Sequence, residues 1–384
     1  MTKPSLPETI RALALPLLAG LVLAACSDDS GTSPAPSGGP GDEPLAESVA
    51  PAFLKPGDKI ALLSPSYSTP DSNIRKTAAV LEKWGYRTVV GKNVGKLDAG
   101  KYAGTAEERA SDVIDALRDT SVKAILCNRG GYGAIQLMDP VDTALARKNP
   151  KWLVGFSDVT TLHAMQTRAG VMSVHGTMSS FIANSGGDDP GSRVLRDLLA
   201  GKVPAYEVSA HPLNVRGRAE GILVGGNMAT FAPLLGTRAD LLSSDGIILF
   251  MEEIGENLRN IDRMYNSLLL RGVMERVRGV VLGEFEDSGT DLDWASAEEM
   301  LVEYLKDLGV PVLCGFPAGH GDVNLPLVMG SKATIDVGKD GASLEFDVPG
   351  GTPKTVKTDE VSAGTALPAP VRVLLSGKVL SEEE

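Results

Sequence analysis

A short stretch near the middle of the chain constrains the fold most, because it places one serine on a turn between a strand and a helix. The apolar residues 152–154 have strand length and stop at Gly155, and a helical pattern begins at Asp158. Ser157 lies on the turn between them. A serine on such a turn is exposed at the carboxyl end of a sheet, beside free backbone N–H groups and the positive end of a helix. The stretch therefore indicates a nucleophile or, alternatively, an ordinary helix cap, since Ser and Asp cap helices routinely.

Alternating strand and helix patterns surround this turn and predict the fold class. Apolar runs at 59–63, 87–90 and 124–127 are typical of strands, and helical patterns at 77–84 and 105–118 lie between them. The second of these helices opens with a capping-box pattern. Strand–helix alternation is typical of a parallel sheet with helices packed on it. We therefore predict an α/β fold whose N-terminal domain is a parallel-sheet sandwich that carries the nucleophile turn.

The second half of the chain predicts another α/β domain. Strand patterns at 219–227, 247–251 and 279–283 alternate with helical ones, and a hairpin is predicted over 332–347. The composition of 43% hydrophobic and 5% aromatic residues, with 43 glycines, suits a compact α/β protein with many tight turns. We predict that this C-terminal domain is partly β-barrel-like and that the domain break lies near residues 200–215.

The first residues of the chain predict an export signal. Lys3 and Arg11 form a sparse positive region, an apolar core follows at 12–22, and small residues precede Cys26. This pattern resembles the lipobox of bacterial lipoproteins, in which the signal peptide is removed and the new N-terminal cysteine is acylated. The alternative is an ordinary signal peptide that a cysteine follows by chance.

The residues after Cys26 predict a tether to the membrane. Residues 27–50 are rich in Ser, Gly, Pro, Asp and Glu and cannot bury enough apolar surface to fold. Ser27, rather than Asp, follows the cysteine, and in enteric-type sorting this favours the outer membrane. We expect a lipid-anchored protein on the periplasmic side of the cell envelope, with the outer membrane favoured.

The net charge and the cysteines argue against nucleic-acid binding and against metal binding. The formal net charge of −12 argues against nucleic acid as a partner. Cys127 and Cys314 lie in apolar strand patterns, so we expect buried thiols. Because the chain has no CxxC or Cys/His spacing, no metal is predicted, and no motif calls for a cofactor.

A glycine-rich turn follows the third predicted strand, with the sequence Asn-Arg-Gly-Gly-Tyr-Gly-Ala at residues 128–134. Glycines let backbone N–H groups approach a ligand closely. One interpretation is a phosphate cradle, but no Lys-Ser/Thr follows and the glycine spacing misses the dinucleotide pattern. The interpretation we prefer is half of an oxyanion hole, because the next strand carries Ser157 and ligands of α/β sheets bind beyond the strands' carboxyl ends.

Two further residues complete a candidate catalytic set. His320 lies between glycines on a loop that follows a strand, and catalytic groups concentrate on such loops. Glu252 directly follows five apolar strand residues, so its carboxylate is held at a sheet end, where it can orient an imidazole. The order Ser…Glu…His predicts a triad at the interface between two domains. The alternative is that Glu252, Glu253 and Glu256 form a solvated acidic cluster.

Five motifs in this order resemble the serine LD-carboxypeptidases, or muramoyltetrapeptide carboxypeptidases, a family that includes the microcin C immunity peptidases. They cover roughly residues 54–346 and are Arg129-Gly130-Gly131-Tyr132-Gly133, Gly155-Phe156-Ser157-Asp158, Gly225-Gly226-Asn227, the strand end at Glu252, and Gly319-His320-Gly321 with Leu325-Pro326-Leu327. The resemblance implies that Ser157 is the nucleophile, His320 the general base and Glu252 its orienter. It also implies that the backbone N–H groups of Gly131 and Asp158 form the oxyanion hole.

The function implied by the resemblance is a serine carboxypeptidase. It would cleave an L,D-peptide bond and release the terminal D-alanine from murein tetrapeptides in the cell envelope. The glycine loop looks more like the murein enzymes than the microcin branch. A cationic or N–H-rich patch is expected for the substrate carboxylate, with Arg129 and Asn227 as candidates.

Several alternatives stay open at the level of sequence. They are a lipoprotein solute-binding protein, an α/β-hydrolase-type esterase and a peptidase that degrades microcin C-like peptides. The oligomeric state is open too, with a homodimer among the candidates. In chain order, the predicted parts are a lipoprotein signal peptide (1–26), a tether (27–50), a nucleophile domain (51–205), a domain with the Glu and His (215–350) and a tail (351–384).

Overall fold

The computed structural model describes residues 44–289 and 291–362. The predicted signal peptide, Cys26 and most of the predicted tether lie outside the described residues, and so does the predicted tail from residue 363 onward. In the described ranges, no helix combines the length and the apolarity that are needed to cross a membrane.

Strands and helices alternate through the N-terminal half, as the sequence pattern predicts. The strands are β1 (Lys59–Leu63), β2 (Arg87–Val90), β3 (Val122–Cys127), β4 (Trp152–Gly155) and β5 (Ser173–His175). They lie in the order β2-β1-β3-β4-β5, and every neighbouring pair is parallel. The carboxyl ends of β3 and β4 therefore meet at one edge of the sheet, where the glycine-rich turn and Ser157 follow them.

Helices connect and flank these strands. They are α1 (Asp71–Lys83), α2 (Ala106–Arg118), α3 (Ala144–Lys148), α4 (Thr160–Arg168), α5 (Ser179–Ser185) and α6 (Pro190–Leu199). The predicted capping box of α2 is confirmed: the Thr105 hydroxyl accepts the Glu108 N–H, and the Glu108 carboxylate accepts the Thr105 N–H. The side chains of Val113 and Leu117 on this helix are buried in the core.

The second half of the chain forms a larger, mixed sheet. The elements of this half of the chain are β6 (Lys202–Ser209), β7 (Gly217–Asn227), α7 (Met228–Phe231), β8 (Ile247–Ile254), α8 (Leu258–Leu270), β9 (Val277–Glu286), α9 (Ala297–Leu305), β10 (Val312–Leu313), β11 (Leu327–Met329), β12 (Lys332–Val337), β13 (Gly341–Asp347), β14 (Thr352–Lys357) and α10 (Thr358–Ser362). In the described residues the strand order is β10-β9-β8-β7-β12-β13-β6-β14, which has two free ends. The sheet is therefore open and not a closed barrel.

An interior strand of this sheet, β8, explains how Glu252 reaches its position. Residues 247–253 of β8 are all buried, and the strand is paired in parallel with β7 and β9 on its two sides. A near-continuous apolar run is typical of a parallel strand that is covered on both faces. The carboxylate of Glu252 is thereby carried to the buried carboxyl end of the strand.

Two strands cross the domain boundary that the sequence predicts. β11 leaves the C-terminal half and pairs antiparallel with β5 of the first sheet, with Leu327 opposite His175. β6 begins inside the predicted N-terminal domain, but it pairs with β13 and β14 of the second sheet. β14 also lies in the predicted tail. These pairings depend on contacts distant in sequence, and no local pattern at 200–215 or 351 indicates them.

Tyr206 of β6 links the two sheets. Its buried hydroxyl donates a hydrogen bond to the Pro326 carbonyl, just before β11, at 2.7 Å. Its ring contacts Phe316 and Phe346 edge-on, with centroids 5.0 Å and 6.1 Å away. The apolar core is continuous across this junction, since Val174 of the first sheet and Phe250 of the second belong to one buried cluster.

We expect Tyr206→Phe to lower the free energy of unfolding by about 1–3 kcal/mol, because the buried Pro326 carbonyl loses its donor while the ring packing is kept. Urea titration followed by circular dichroism measures the change. Tyr132→Phe removes the same hydroxyl from a ring that is 50% exposed and serves as the control. Equal unfolding midpoints for Tyr206→Phe and the wild type would contradict the role of this bond.

Candidate active site

The turn that carries Ser157 has a strained backbone. Ser157 has φ +62°, in the left-handed region that non-glycine residues avoid. Ala99 and Asp287 share this feature among the described residues, but both lie on exposed turns. Ser157 instead lies between the end of β4 and the start of α4, with buried neighbours on both sides. Such strain persists only where the surrounding structure holds it, and it is often found at functional sites.

Hydrogen bonds of the His163 ring hold Gly155, the strand residue that comes just before this turn. The buried imidazole of His163 lies 2.8 Å from the Gly155 carbonyl and 2.8 Å from the Ser173 hydroxyl. Burial lowers the pKa of His163 to about 4, so the ring is neutral at physiological pH. We therefore assign Nε2 as the donor to Gly155 and Nδ1 as the acceptor from Ser173. His163 thus links β4 to β5, and its ring does not face the position at which a substrate would react with Ser157.

The glycine-rich turn approaches Ser157 so closely that residue 130 must be a glycine. A Cβ on Gly130 would lie 2.9 Å from the Ser157 Cβ and 3.0 Å from its Oγ. The same position is 3.4 Å from the Asp158 backbone nitrogen, in the first turn of the helical segment, where N–H groups lack helical partners. The structure therefore brings the peptide before Gly131 and the Asp158 N–H beside Ser157. Their role as oxyanion-hole donors stays a prediction.

The side chain of Asp158 holds the glycine-rich turn in place. The buried carboxylate accepts hydrogen bonds from the Ser66 hydroxyl at 2.6 Å and from the Ala134 N–H at 2.8 Å. Burial raises the pKa of Asp158 above its ordinary value, and these hydrogen bonds oppose the shift. Sequence reasoning assigned a role to the Asp158 backbone only and missed this one.

Arg109 supports the same turn from α2. Its side chain is only 1% exposed, and its guanidinium donates to the Pro65 carbonyl at 2.6 Å and to the Gly133 carbonyl at 2.9 Å. An arginine is seldom buried without such partners. The signal for it in the sequence is an arginine next to the apolar positions of an amphipathic helix.

The structure brings Glu252 and His320 into direct contact. The Oε2 of Glu252 lies 2.7 Å from Nδ1 of His320, and the two residues are 0% and 7% exposed. Nδ1 is assigned as the donor, which leaves Nε2 as the basic nitrogen of the ring. The His320 ring also contacts Phe156, the neighbour of Ser157, at a centroid distance of 4.8 Å. The imidazole therefore lies against the nucleophile turn.

Two side chains that sequence reasoning missed hold the His320 loop on both sides. The Asn324 amide oxygen accepts the Gly319 N–H at 3.2 Å, and the Glu284 carboxylate accepts the Gly321 N–H at 2.9 Å. Both bonds join residues flanking His320 and restrict the backbone that carries it. Neither side chain belongs to a recognisable motif.

Two further carboxyl groups, of the buried Glu253 and the partly buried Glu284, lie in this half of the site. Burial raises the pKa of Glu253 to about 7, and the neighbouring Glu252 adds to the shift. Burial likewise raises the pKa of Glu284 to about 8, with Glu286, Glu252 and Asp322 nearby adding to it and the Gly321 N–H opposing it. The carboxyls of Glu253 and Glu284 therefore titrate near neutral pH.

Asn227 and Arg129, the two predicted substrate contacts, have different surroundings. Asn227 is the N-cap of α7: its amide oxygen accepts the Thr230 N–H, and its amide nitrogen donates to Glu253 at 2.8 Å. One amide hydrogen is left for any other partner. The Arg129 guanidinium lies over the Tyr67 ring at 5.8 Å, beside the glycine-rich turn. Substrate binding by either residue stays a prediction.

The cysteines have structural positions. Cys127 and Cys314 are free and buried, as predicted, and burial raises the pKa of both thiols. Within residues 44–289 and 291–362, no cluster of His, Cys, Asp or Glu is arranged to hold a metal ion.

Comparison with known proteins places this arrangement in a family. Residues 60–176 match the family described as LD-carboxypeptidase N-terminal domain, and residues 220–335 match its C-terminal domain. The chain belongs to the LD-carboxypeptidase family. It is 34% identical over 314 residues to a probable murein peptide carboxypeptidase of Bacillus subtilis, with 79% of this chain and 97% of the relative covered.

Other similar proteins show the breadth of the LD-carboxypeptidase family. The crystal structure of muramoyltetrapeptide carboxypeptidase from Oxalobacter formigenes matches with a TM-score of 0.68 at 26% identity, covering 76% of this chain and 99% of that one. The microcin C7 self-immunity protein of Escherichia coli is 26% identical, with 74% of this chain and 92% of the relative covered. The resemblance seen in the five motifs is confirmed, and so is the two-domain α/β fold of this peptidase.

We expect Glu284→Gln to flatten the pH dependence of stability. The folded chain keeps this carboxyl protonated up to about pH 8, whereas an unfolded chain ionises it near the ordinary value of 4.5. The folded state thus binds more protons between these values, and its free energy of unfolding falls as pH rises through that window. Gln keeps an acceptor oxygen for the Gly321 N–H and carries no charge, so the variant should lose this contribution.

Urea unfolding at several values from about pH 5 to about pH 8 measures the slope. Glu82→Gln removes the same charge from the exposed face of α1 and is the matched control. Parallel curves for wild type and Glu284→Gln would show that Glu284 does not titrate in this window.

Proposed function

We propose that this protein is a serine-type LD-carboxypeptidase that releases the terminal D-alanine from murein tetrapeptides in the cell envelope. The observation that carries the proposal is the contact of the His320–Glu252 pair with the nucleophile turn through Phe156. The strained backbone of Ser157 and the close approach of Gly130 support it. The names of the murein-directed relatives support the choice of substrate.

In the proposed mechanism, Ser157 Oγ attacks the carbonyl carbon of the residue before the terminal D-alanine. His320 Nε2 takes the hydroxyl proton, and Glu252 stabilises the resulting imidazolium through Nδ1. The backbone N–H groups of Gly131 and Asp158 donate to the oxygen on which negative charge develops. His320 then gives its proton to the leaving amine, the C–N bond breaks, and water hydrolyses the acyl-enzyme by the same steps.

A second candidate substrate is a microcin C-like peptide, since the microcin C7 self-immunity protein is among the similar proteins. The glycine-rich turn with Tyr132 favours the murein branch over it. A solute-binding role would need neither the strained Ser157 nor the His320–Glu252 pair, and an esterase would act on simple esters.

Replacement of the proposed triad should abolish catalysis and keep the fold. We expect Ser157→Ala and His320→Ala each to lower kcat by on the order of 10⁴ to 10⁶, and Glu252→Gln to cost less, on the order of 10³. Because the groups act as a unit, the Ser157→Ala/His320→Ala double variant should be little worse than either single variant. Steady-state kinetics with circular dichroism checks this, and multiplicative losses would argue for separate roles.

The substrate is tested with the disaccharide tetrapeptide, its all-L analogue and a simple ester, followed by mass spectrometry. We expect one alanine to be lost from the natural tetrapeptide only, and no loss with Ser157→Ala. Tight binding of the uncleaved tetrapeptide would favour a solute-binding protein. Cleavage of the ester alone would favour an esterase, and cleavage of a microcin C-like peptide alone would favour the immunity branch.

We also propose, from the sequence, that Cys26 carries lipid and anchors the protein on the periplasmic side of the envelope. Expression of the full chain in a Gram-negative host, with fractionation, tests this. The wild type should partition with membranes and Cys26→Ala should not, because the anchoring acyl chains are lost. Recovery of the wild type as a soluble protein with residues 1–25 intact would refute the anchor.

A further inference from the structure

A wall of tyrosines and cations borders the proposed active site on the side of the glycine-rich turn. It consists of Tyr67, Tyr102, Tyr132, Lys101 and Arg129, which we call the cation–tyrosine wall. We propose that this wall binds the free carboxylate of the γ-linked D-glutamyl residue of a murein stem peptide, on the acyl side of the scissile bond. The inference rests on the proposed function and extends it to substrate selection.

The wall begins beside the nucleophile. The Tyr67 ring lies so close over Gly131 that a Cβ there would be 2.2 Å from the ring. The adjacent Gly130 approaches Ser157 Oγ at 3.0 Å, measured from its missing Cβ. Two consecutive glycines therefore separate the ring from the serine. The Tyr67 ring is therefore within reach of a substrate held at Ser157.

The three rings continue outward from the glycine-rich turn. The centroids of Tyr67 and Tyr102 are 5.9 Å apart, and those of Tyr102 and Tyr132 are 6.3 Å apart. Tyr132, the outermost ring, is 50% exposed. The leaving D-alanine is a single small residue and needs no extended surface, whereas the acyl part of the substrate is long. The extent of the wall therefore favours the acyl part as its ligand.

Contacts within the protein hold Tyr102 and the segment of Tyr67 in place. The Arg109 guanidinium lies 5.1 Å from the centroid of Tyr102, and it is itself bonded to the Gly133 carbonyl. The Lys101 carbonyl accepts the Ser68 N–H at 2.8 Å, which ties the segment of Tyr102 to that of Tyr67. Preorganised side chains lose less entropy when a ligand binds.

The cations of the wall are not neutralised within the described part of the chain. Lys101 Nζ lies 5.5 Å and Arg129 Cζ 5.8 Å from the centroid of the same Tyr67 ring. No carboxylate in residues 44–289 and 291–362 forms an ion pair with either one, although the chain has 49 acidic and 37 basic residues. Two unpaired cations over one ring in an acidic chain are suited to an anionic ligand.

The chemistry of the stem peptide supplies such an anion. A D-glutamyl residue linked through its γ-carboxyl keeps its α-carboxylate, one residue before the acyl residue of the scissile bond. Guanidinium and ammonium groups bind a carboxylate by charge-assisted hydrogen bonds, and the ring faces contact the methylene groups. On the opposite side of the site the Glu252 carboxylate is bonded to His320 and offers no cation for this group. This assigns Arg129 to the acyl side and not to the leaving carboxylate.

The test uses two murein tetrapeptides that differ only at this carboxyl, one as the free acid and one as the amide. The wild type should show a KM about tenfold lower for the free acid, since one such contact is of the order of 1.4 kcal/mol. Lys101→Gln/Arg129→Gln should bring the ratio of the two KM values to about one. Lys76→Gln/Lys83→Gln, which removes two exposed charges from α1, should keep the wild-type ratio and controls for net charge.

The outcomes separate the inference from the proposed function. If KM rises equally for both peptides in the double variant, the wall binds the terminal carboxylate. That result would overturn the inference and leave the proposed carboxypeptidase function intact. Failure of the wild type to cleave either peptide would refute the proposed function itself.

Tyr132→Ala should raise KM for both peptides more than Tyr132→Phe, which keeps the ring, and equal KM values for the two variants would remove Tyr132 from the wall.

Discussion

The antiparallel pairing of β11 with β5 holds the two halves of the site together. The chain leaves the second sheet through the His320 loop and, a few residues later, joins the edge of the first sheet at Leu327. His320 is thereby carried across to the ring of Phe156, next to Ser157. Tyr206 stabilises the same crossing from the second sheet. Because the strand pairing is made of backbone bonds, the placement of the imidazole is tied to the fold itself.

The electrostatic character of the site follows from burial. The Glu252 carboxylate is removed from water, and its Oε2 lies 2.7 Å from Nδ1 of His320. In such surroundings the attraction between a carboxylate and an imidazolium is stronger than it would be in water. The neighbouring carboxyls of Glu253 and Glu284 keep protons to higher pH, which limits the negative charge around that pair. The other side of the site, at Lys101 and Arg129, is cationic.

The parts of the fold and the site that follow a local sequence pattern could be predicted from the sequence. The turn at Ser157, the strand end at Glu252 and the glycine loop at His320 each follow an apolar run, so their positions at sheet ends could be read directly. The crossing of β11 and the bracing bonds from Glu284 and Asn324 could not, because they depend on tertiary contacts. Asn227 is an intermediate case: an asparagine before a helical pattern is an N-cap signal, the structure shows the cap, and the predicted contact with substrate stays a prediction.

The left-handed backbone of Ser157 has a consequence for how the enzyme can change. A non-glycine residue in that conformation costs on the order of 1 kcal/mol or more, which the surrounding packing has to offset. Glycine would adopt the same angles without that cost, so Ser157→Gly is a substitution that gains stability while it removes the proposed nucleophile. Selection for thermal robustness alone would therefore drive this position away from serine. At the proposed nucleophile, stability and activity therefore make opposite demands on the residue type.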